Sequence, residues 1–334
     1  MTKFNELLTH ITHKHVYIQT HNFPDPDAMA SACGLQKLLE YKGIESTICY
    51  SGNIDRSNTS KLVSLTNIEL FNIDHLQCFS HDAEIILVDA QKGNSNIIDM
   101  TGNEIICIDH HPYSDCISKL NSEYRFHDIR TNVGACASII ASYFFENNIP
   151  IDTNTATLLC FAIKIDTKGL SRGMSRLDLD MFYKLFLLSD HSIINTLEHS
   201  ILEYSDLKVY SDAIKNIKVV DNISFSNVGY NCPEALIASI SDFMLQLKEV
   251  DFSVVYSYKR DGIKISVRSE ASQFDAGLIT KNALAGLGGG GGHQSMAGGF
   301  IPFENFTKLK KITLNETSDI IQKRFLNEIK LNKR

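Results

Sequence analysis

Three predicted strands in this chain, two of them continuous apolar runs, stop at acidic or imidazole groups. Residues 16–20 lead into His21-Asn22-Phe23-Pro24-Asp25-Pro26-Asp27-Ala28, residues 84–88 into Asp89, and residues 104–108 into Asp109-His110-His111. Continuous apolar runs separated by longer segments predict parallel strands buried on both faces. Their ends then share one edge of one sheet, where open α/β folds bind ligands. A lone Asp after a strand is an ordinary turn former; three such ends, two of them carrying His, exceed what turns require. Residues 28–42 read as the helix after the first strand, Gly43 as its C′ residue, and residues 44–50 as a second strand.

The side chains at these ends suit a cation. A helix is expected over 153–165, and Asp166 follows it, where a carboxylate opposes the helix dipole and is better explained by a bound metal. His21, Asp25, Asp27, Asp89, His110 and Asp166 make six candidate ligands, four of them carboxylates. Oxygen donors with two nitrogens suit Mn²⁺ or Mg²⁺. So many charges point to two divalent ions about 3.5–4 Å apart with one shared carboxylate, a device for in-line displacement at phosphorus. Such ions lower the pKa of water and neutralise phosphate oxygens. Asp109 and His111 flank His110 and either support it or contact the phosphate. The two prolines stiffen the first turn. The competing reading makes Asp27 the helix N-cap and Asp25 a turn residue.

Residues 1–15 suggest a short helix and a connector, and residues 51–80 give no clear order. His10, His13 and His15 lack an acidic partner and read as a solvated helix end. Helices are expected over 133–146, opened by a Gly134-Ala135 turn, and over 177–188; residues 189–212 read as a linker of helix and loop. Short strands (217–220, 223–228), a helix over 233–247 and a hairpin turning at Asp261-Gly262 between 252–258 and 263–267 follow. A helix over 275–285 precedes five glycines, 288–292, then His293 and Ala297-Gly298-Gly299; a last helix covers 304–330. The glycine run reads as a loop whose bare backbone lets N–H groups approach an anion. His293 and Arg268 would add donors, Arg suiting bidentate phosphate contact. A flexible linker is the alternative, disfavoured by folded flanks.

A net charge of −7 excludes a broad duplex-binding surface but allows short anionic substrates. No apolar run reaches membrane-spanning length, and residues 1–15 are unlike a signal peptide, so a cytoplasmic protein is expected. The eight cysteines form no CxxC pair. Cys33, Cys107, Cys136 and Cys160 read as buried thiols, and no zinc site is expected.

In order, His21-x-x-x-Asp25-x-Asp27-Ala28, Asp89, Asp109-His110-His111 and Asp166 resemble the four motifs of the DHH phosphoesterases. Gly290-Gly291-Gly292-His293-x-x-x-Ala297-Gly298 is similar to the signature of the DHH-associated C-terminal domain. The resemblance implies an α/β fold: a parallel-sheet domain over 1–188, a linker over 189–212 and a smaller α/β domain over 213–334, with the active site in the interdomain cleft. It implies one Mn²⁺ on His21, Asp25 and Asp89, and another on Asp27, Asp89, His110 and Asp166. Asp89, His110, His111 and Asp109 would form the catalytic group. Arg268, Gly290, Gly291, Gly292 and His293 would bind substrate.

By size the chain resembles stand-alone nano-RNase and pAp phosphatase enzymes, and a homodimer is allowed. The expected activity is hydrolysis of oligoribonucleotides, linear dinucleotides such as pApA, or pAp. An exopolyphosphatase or pyrophosphatase, and a nucleotide-binding regulator without turnover, are the alternatives. Pro26 stands where many members have Gly, five glycines replace three or four, and Met296-Ala297-Gly298-Gly299 departs from the usual ending. These departures fall outside the metal ligands.

Overall fold

The computed structural model describes residues 1–52, 54, 57–66, 68–73, 80–94, 96–112, 124–198, 202–271, 273–307 and 314–332. The chain divides into two compact units, Met1–Ile201 and Leu202–Arg334.

The first unit is built on six parallel strands: β1 (His15–Gln19), β2 (Glu45–Tyr50), β3 (Phe71–Asn72), β4 (Glu84–Val88), β5 (Asn103–Asp109) and β6 (Phe126–Ile129). Their order is β3-β2-β1-β4-β5-β6, so the chain reverses direction across the sheet between β1 and β4. That is a topological switch point, and the carboxyl ends of these two strands flank a natural ligand crevice. The central strands β4 and β5 are almost wholly buried, whereas β2 and β6 keep polar, partly exposed positions. Ile18, Val88, Ile106 and Ile108 pack with residues of α2 (Pro26–Tyr41), α4 (Cys136–Glu146) and α5 (Thr153–Asp166). Cys49, Ile85, Leu87 and Cys107 form a smaller cluster with Met100 and Tyr124. Helices α1 (Lys3–Leu8), α3 (Ser57–Thr66), α6 (Arg176–Phe186) and α7 (His191–Glu198) complete the unit.

The second unit has a mixed six-stranded sheet, ordered β11-β12-β10-β9-β8-β7. Its strands are β7 (Lys218–Val220), β8 (Ile223–Tyr230), β9 (Phe252–Tyr258), β10 (Gly262–Ser269), β11 (Gly289–Gly292) and β12 (Met296–Pro302). Helices α8 (Asp206–Lys215) and α9 (Glu234–Met244) contribute to one core, with Val228 and Val255. Helices α10 (Ala276–Leu284) and α12 (Leu314–Asn332) contribute to another, with Ile263, Ile265 and Val267. A short helix, α11 (Phe303–Thr307), follows β12.

The structure departs from the expectations in several places. The helix expected from residue 133 starts at Cys136, because Ala135 is extended, with φ −152°. The glycine run expected as a loop is an edge strand paired antiparallel with β12. Strand β6 went unread; its four residues are too few to show a period. Of the final helix expected over 304–330, Phe303–Thr307 and Leu314–Asn332 are helical, and residues 308–313 lie outside the described residues.

Candidate metal centre

The first turn is fastened by its backbone. Asn22 N–H donates to Asn96 O at 2.7 Å, and Phe23 N–H to Ser51 O at 2.8 Å. Pro26 opens α2 with its φ already set for a helix. This makes Asp25 the N-cap: its Oδ1 accepts from Asp27 N at 3.0 Å and Ala28 N at 3.1 Å. The alternative that gave the cap to Asp27 is therefore corrected. Asp27 sits one residue inside the helix and is buried. Its Oδ2 accepts Cys136 N–H at 2.7 Å and its Oδ1 accepts Ala137 N–H at 2.9 Å. Ala135, the N-cap of α4, has no side-chain cap bond, so Asp27 satisfies that helix start from across the fold.

Asp89 follows β4 with φ +56°, a left-handed conformation that Asp tolerates better than most residues. Its carboxylate is shared. Oδ2 lies 3.7 Å from His21 Nε2, and Oδ1 lies 3.4 Å from His110 Nε2. Beyond this pair, His21 Nε2 is 3.8 Å from Asp25 Oδ1. His110 Nε2 is 3.4 Å from Asp166 Oδ2 and 3.8 Å from Asp27 Oδ2. The structure thus brings together all six candidate ligands, as two groups, His21-Asp25-Asp89 and Asp27-His110-Asp166, adjoining at Asp89.

The donor chemistry fits divalent cations. His21 Nδ1–H donates to Asn22 O at 2.9 Å, and His110 Nδ1–H to Val133 O at 3.2 Å. That tautomer leaves each Nε2 with a lone pair facing carboxylates, an arrangement that needs a positive charge. Asp89 Oδ1 is buried and accepts no hydrogen bond among the described residues. Without metal, protons fill the role. Burial lowers the His21 imidazole pKa, but Asp25 and Asp89 outweigh it and raise it to about 9. His110 is likewise raised, its burial outweighed by Asp89, Asp166 and Asp27. Burial pushes Asp166 up to about 6 against the pull of His110. Asp27 is raised by burial and by repulsion from Asp89 and Asp166.

Asp109 has a different place. Its Oδ2 accepts from Gln91 Nε2 at 2.7 Å; its Oδ1 accepts from His110 N at 2.7 Å and His111 Nδ1 at 2.8 Å. These donors, with His110 opposite, hold its carboxyl below the usual range despite burial. Asp109 therefore orients His111. Sequence reasoning missed Gln91, which no local pattern marks. It also missed Asp178, which a Ser175-x-x-Asp178 capping pattern does mark.

In the second unit, Arg268 pairs with Asp242 on α9, Nε to Oδ2 at 3.1 Å. His293 lies in the β11–β12 turn, its N–H donating to Met296 O at 2.7 Å. The glycines fall into two kinds. A Cβ on Gly290 would lie 2.8 Å from Thr280 Cγ2 and 2.9 Å from Leu284 Cδ1, because α10 packs against this strand. At Gly291 a Cβ would meet nothing within 4 Å among the described residues.

Residues 15–163 match the DHH family, N-terminal domain, and residues 217–317 match the DHHA1 domain. An uncharacterised protein of Methanocaldococcus jannaschii is 33% identical over 290 residues, 86% of this chain and 58% of that one. A probable manganese-dependent inorganic pyrophosphatase of Clostridium acetobutylicum is 28% identical over 153 residues, 46% of this chain and 47% of that one. The probable bifunctional oligoribonuclease and PAP phosphatase NrnA of Streptococcus mutans is 25% identical over 171 residues, half of each chain. The chain spans about half the length of these relatives. With both domains in sequence and the motif residues gathered at one strand edge, the chain belongs to the DHH family and carries a DHHA1 domain.

Proposed function

We propose that this protein is a Mn²⁺-dependent phosphoesterase of short nucleotides, acting on oligoribonucleotides, linear dinucleotides such as pApA, or pAp. The observation that carries the reading is the sharing of Asp89 between two ligand groups. His21, Asp25 and Asp89 would hold one ion, and Asp27, Asp89, His110 and Asp166 the other. When bound, such a pair lowers the pKa of water and neutralises charge on the phosphoryl group. Two imidazole nitrogens favour Mn²⁺ over Mg²⁺.

The chain's own side chains do the rest. Asp109 fixes His111 through Nδ1–H and, with Asp89, favours its imidazolium, whose second ring N–H is then able to donate to a phosphoryl oxygen or to a leaving oxygen. Asp27 is held by two main-chain N–H groups, and both ligand imidazoles by carbonyls, so the site is arranged before substrate arrives. In the reading, residues 213–334 grip the nucleotide through Arg268, Gly290, Gly291, Gly292 and His293. Arg268 would exchange its Asp242 partner for phosphate. Among the described residues no helix is long and apolar enough to cross a membrane, and a cytoplasmic setting suits the proposed substrates.

The NrnA relative supports nucleotide hydrolysis, and the pyrophosphatase relative supports the same metals with a different phosphate ester or anhydride. Mn²⁺-dependent release of mononucleotide or phosphate from pApA, a short RNA ladder, pAp, pyrophosphate and polyphosphate separates the two. Turnover of the nucleotides is expected, and Asp89→Ala and His110→Ala should abolish it with the fold retained. Turnover of pyrophosphate or polyphosphate alone overturns the nucleotide reading. Nucleotide binding without any turnover would mean a regulator.

A further inference from the structure

One peptide group joins a buried carboxylate to a ligand imidazole. The peptide between Val133 and Gly134 gives its carbonyl to His110 Nδ1–H at 3.2 Å and its N–H to Asp178 Oδ2 at 2.8 Å. We propose that Asp178 is a positioning residue for the metal centre, acting on His110 through this peptide plane and on Asp27 through the first turn of α4. The proposal rests on the reading of the centre given above.

A helix-capping role alone does not account for Asp178. It does complete a capping box at the start of α6, accepting Ser175 N–H at 2.7 Å while Ser175 Oγ accepts its own N–H at 3.3 Å. Such residues ordinarily face water. Asp178 is fully buried and reaches into α4, where its Oδ1 accepts the Ser138 hydroxyl at 2.6 Å. Gly134 and Ser138 bracket Cys136 and Ala137, whose N–H groups hold Asp27. The carboxylate therefore grips this segment on both sides of the Asp27 contact.

The third connection is steric. A Cβ on Gly134 would lie 2.7 Å from Thr167 Cγ2, 2.9 Å from Gly173 O and 3.2 Å from Asp178 Oδ2. Thr167 adjoins Asp166. Asp178 thus holds the segment that orients Asp27 and His110, and Gly134 within that segment packs on Thr167, the neighbour of Asp166. A charged acceptor on the peptide N–H fixes the plane and polarises it, making the carbonyl a stronger acceptor for Nδ1–H. That bond selects the tautomer with its Nε2 lone pair turned toward Asp89 and Asp166.

The test compares D178N with S175A in the full chain by titrating Mn²⁺ and by following the His110 ring N–H signals by NMR in metal-free protein. D178N should weaken Mn²⁺ binding about tenfold or more and speed exchange of the His110 Nδ1 proton. S175A removes the cap hydroxyl and its 2.6 Å bond to Asp178 Oδ2 but leaves the carboxylate on Gly134 N–H and Ser138 Oγ, so it should lower the melting temperature and leave Mn²⁺ affinity unchanged. If D178N also loses stability alone, with Mn²⁺ affinity and the His110 signal intact, Asp178 is a cap and the proposal is overturned. Should D178N fail to fold, S138A removes the Ser138 side of the grip on α4 and keeps both the cap and the Gly134 bond. Several-fold weaker Mn²⁺ binding is then expected, and wild-type affinity overturns the proposal. A wild-type protein that binds Mn²⁺ but hydrolyses nothing would sink the proposed activity while leaving this comparison valid. The NMR arm needs no metal.

Discussion

Asp27 accepts the main-chain N–H of Cys136 at 2.7 Å, across 109 positions of sequence. The same carboxylate accepts Ala137 N–H, so a candidate metal ligand doubles as the remote cap of a core helix. Asp27→Ala removes both acceptors, and leaving two buried N–H groups unpaired costs about 2–4 kcal/mol. Asp27→Asn keeps one acceptor and should cost about half as much. Both variants should bind Mn²⁺ far more weakly. Urea denaturation of metal-free protein should rank wild type, then Asn, then Ala; equal stability of the two variants would show that the helix start is satisfied some other way.

Metal binding should depend steeply on pH. The folded His21 pKa, about 9, is raised above its ordinary value. The stability this proton confers on the metal-free protein is therefore complete below about pH 6.5 and is lost as pH rises through about 9. The metal needs the neutral imidazole, so an ion at His21 must displace a proton. His110 is shifted the same way, and apparent Mn²⁺ affinity should rise at least tenfold per unit between about pH 7 and 8. Calorimetry in buffers of different ionisation enthalpy reads the released protons directly. An affinity flat across that range would contradict the assignment of these imidazoles as ligands.

The opposite end of β4 carries a carboxylate of another kind. Glu84 accepts from Thr12 N at 2.9 Å, Thr12 Oγ1 at 2.6 Å, His13 N at 3.0 Å and Arg125 Nη1 at 2.6 Å. Burial favours its protonation, but these donors outweigh burial and hold its carboxyl at about 2. A depressed pKa contributes stability above about 4.5, lost as pH falls through about 2. Glu84→Ala should cost about 2 kcal/mol near neutral pH and flatten the acid limb of the stability curve. Mn²⁺ affinity should not change, because Glu84 anchors the amino end of the strand and Asp89 follows its carboxyl end. A loss of Mn²⁺ binding would show that the two ends of β4 are coupled.

What could be read in advance depended on sequence distance. His21, Asp25, Asp27, Asp89, His110 and Asp166 were legible because each lies in or beside the turn that ends a predicted strand or helix, and such an element declares itself. Their supports were not. Gln91 reaches Asp109 over 18 positions, and Asp178 reaches Gly134 over 44. Nothing local to α4 says that its uncapped start is waiting for Asp27. The parallel sheet followed from continuous apolar strands, whereas β6, with burial alternating at Phe126-His127-Asp128-Ile129, was too short to register. The glycine run misled for a different reason. Glycine has little strand preference of its own, and pairing with β12 decided its conformation.

That strand supplies a last discriminating pair. Gly290 faces Thr280 and Leu284 of α10, so Gly290→Ala forces a methyl into contacts of 2.8 and 2.9 Å. Overpacking of this kind costs about 1–3 kcal/mol and should lower the melting temperature. Gly291→Ala meets nothing within 4 Å among the described residues and should leave stability unchanged. If the bare backbone at Gly291 is where the nucleotide approaches, the added methyl should raise KM for pApA at constant kcat and leave Mn²⁺ affinity alone. A Gly291→Ala enzyme with wild-type KM and kcat would mean that the glycines serve the packing of α10 against the sheet, and that substrate is gripped elsewhere in the second unit.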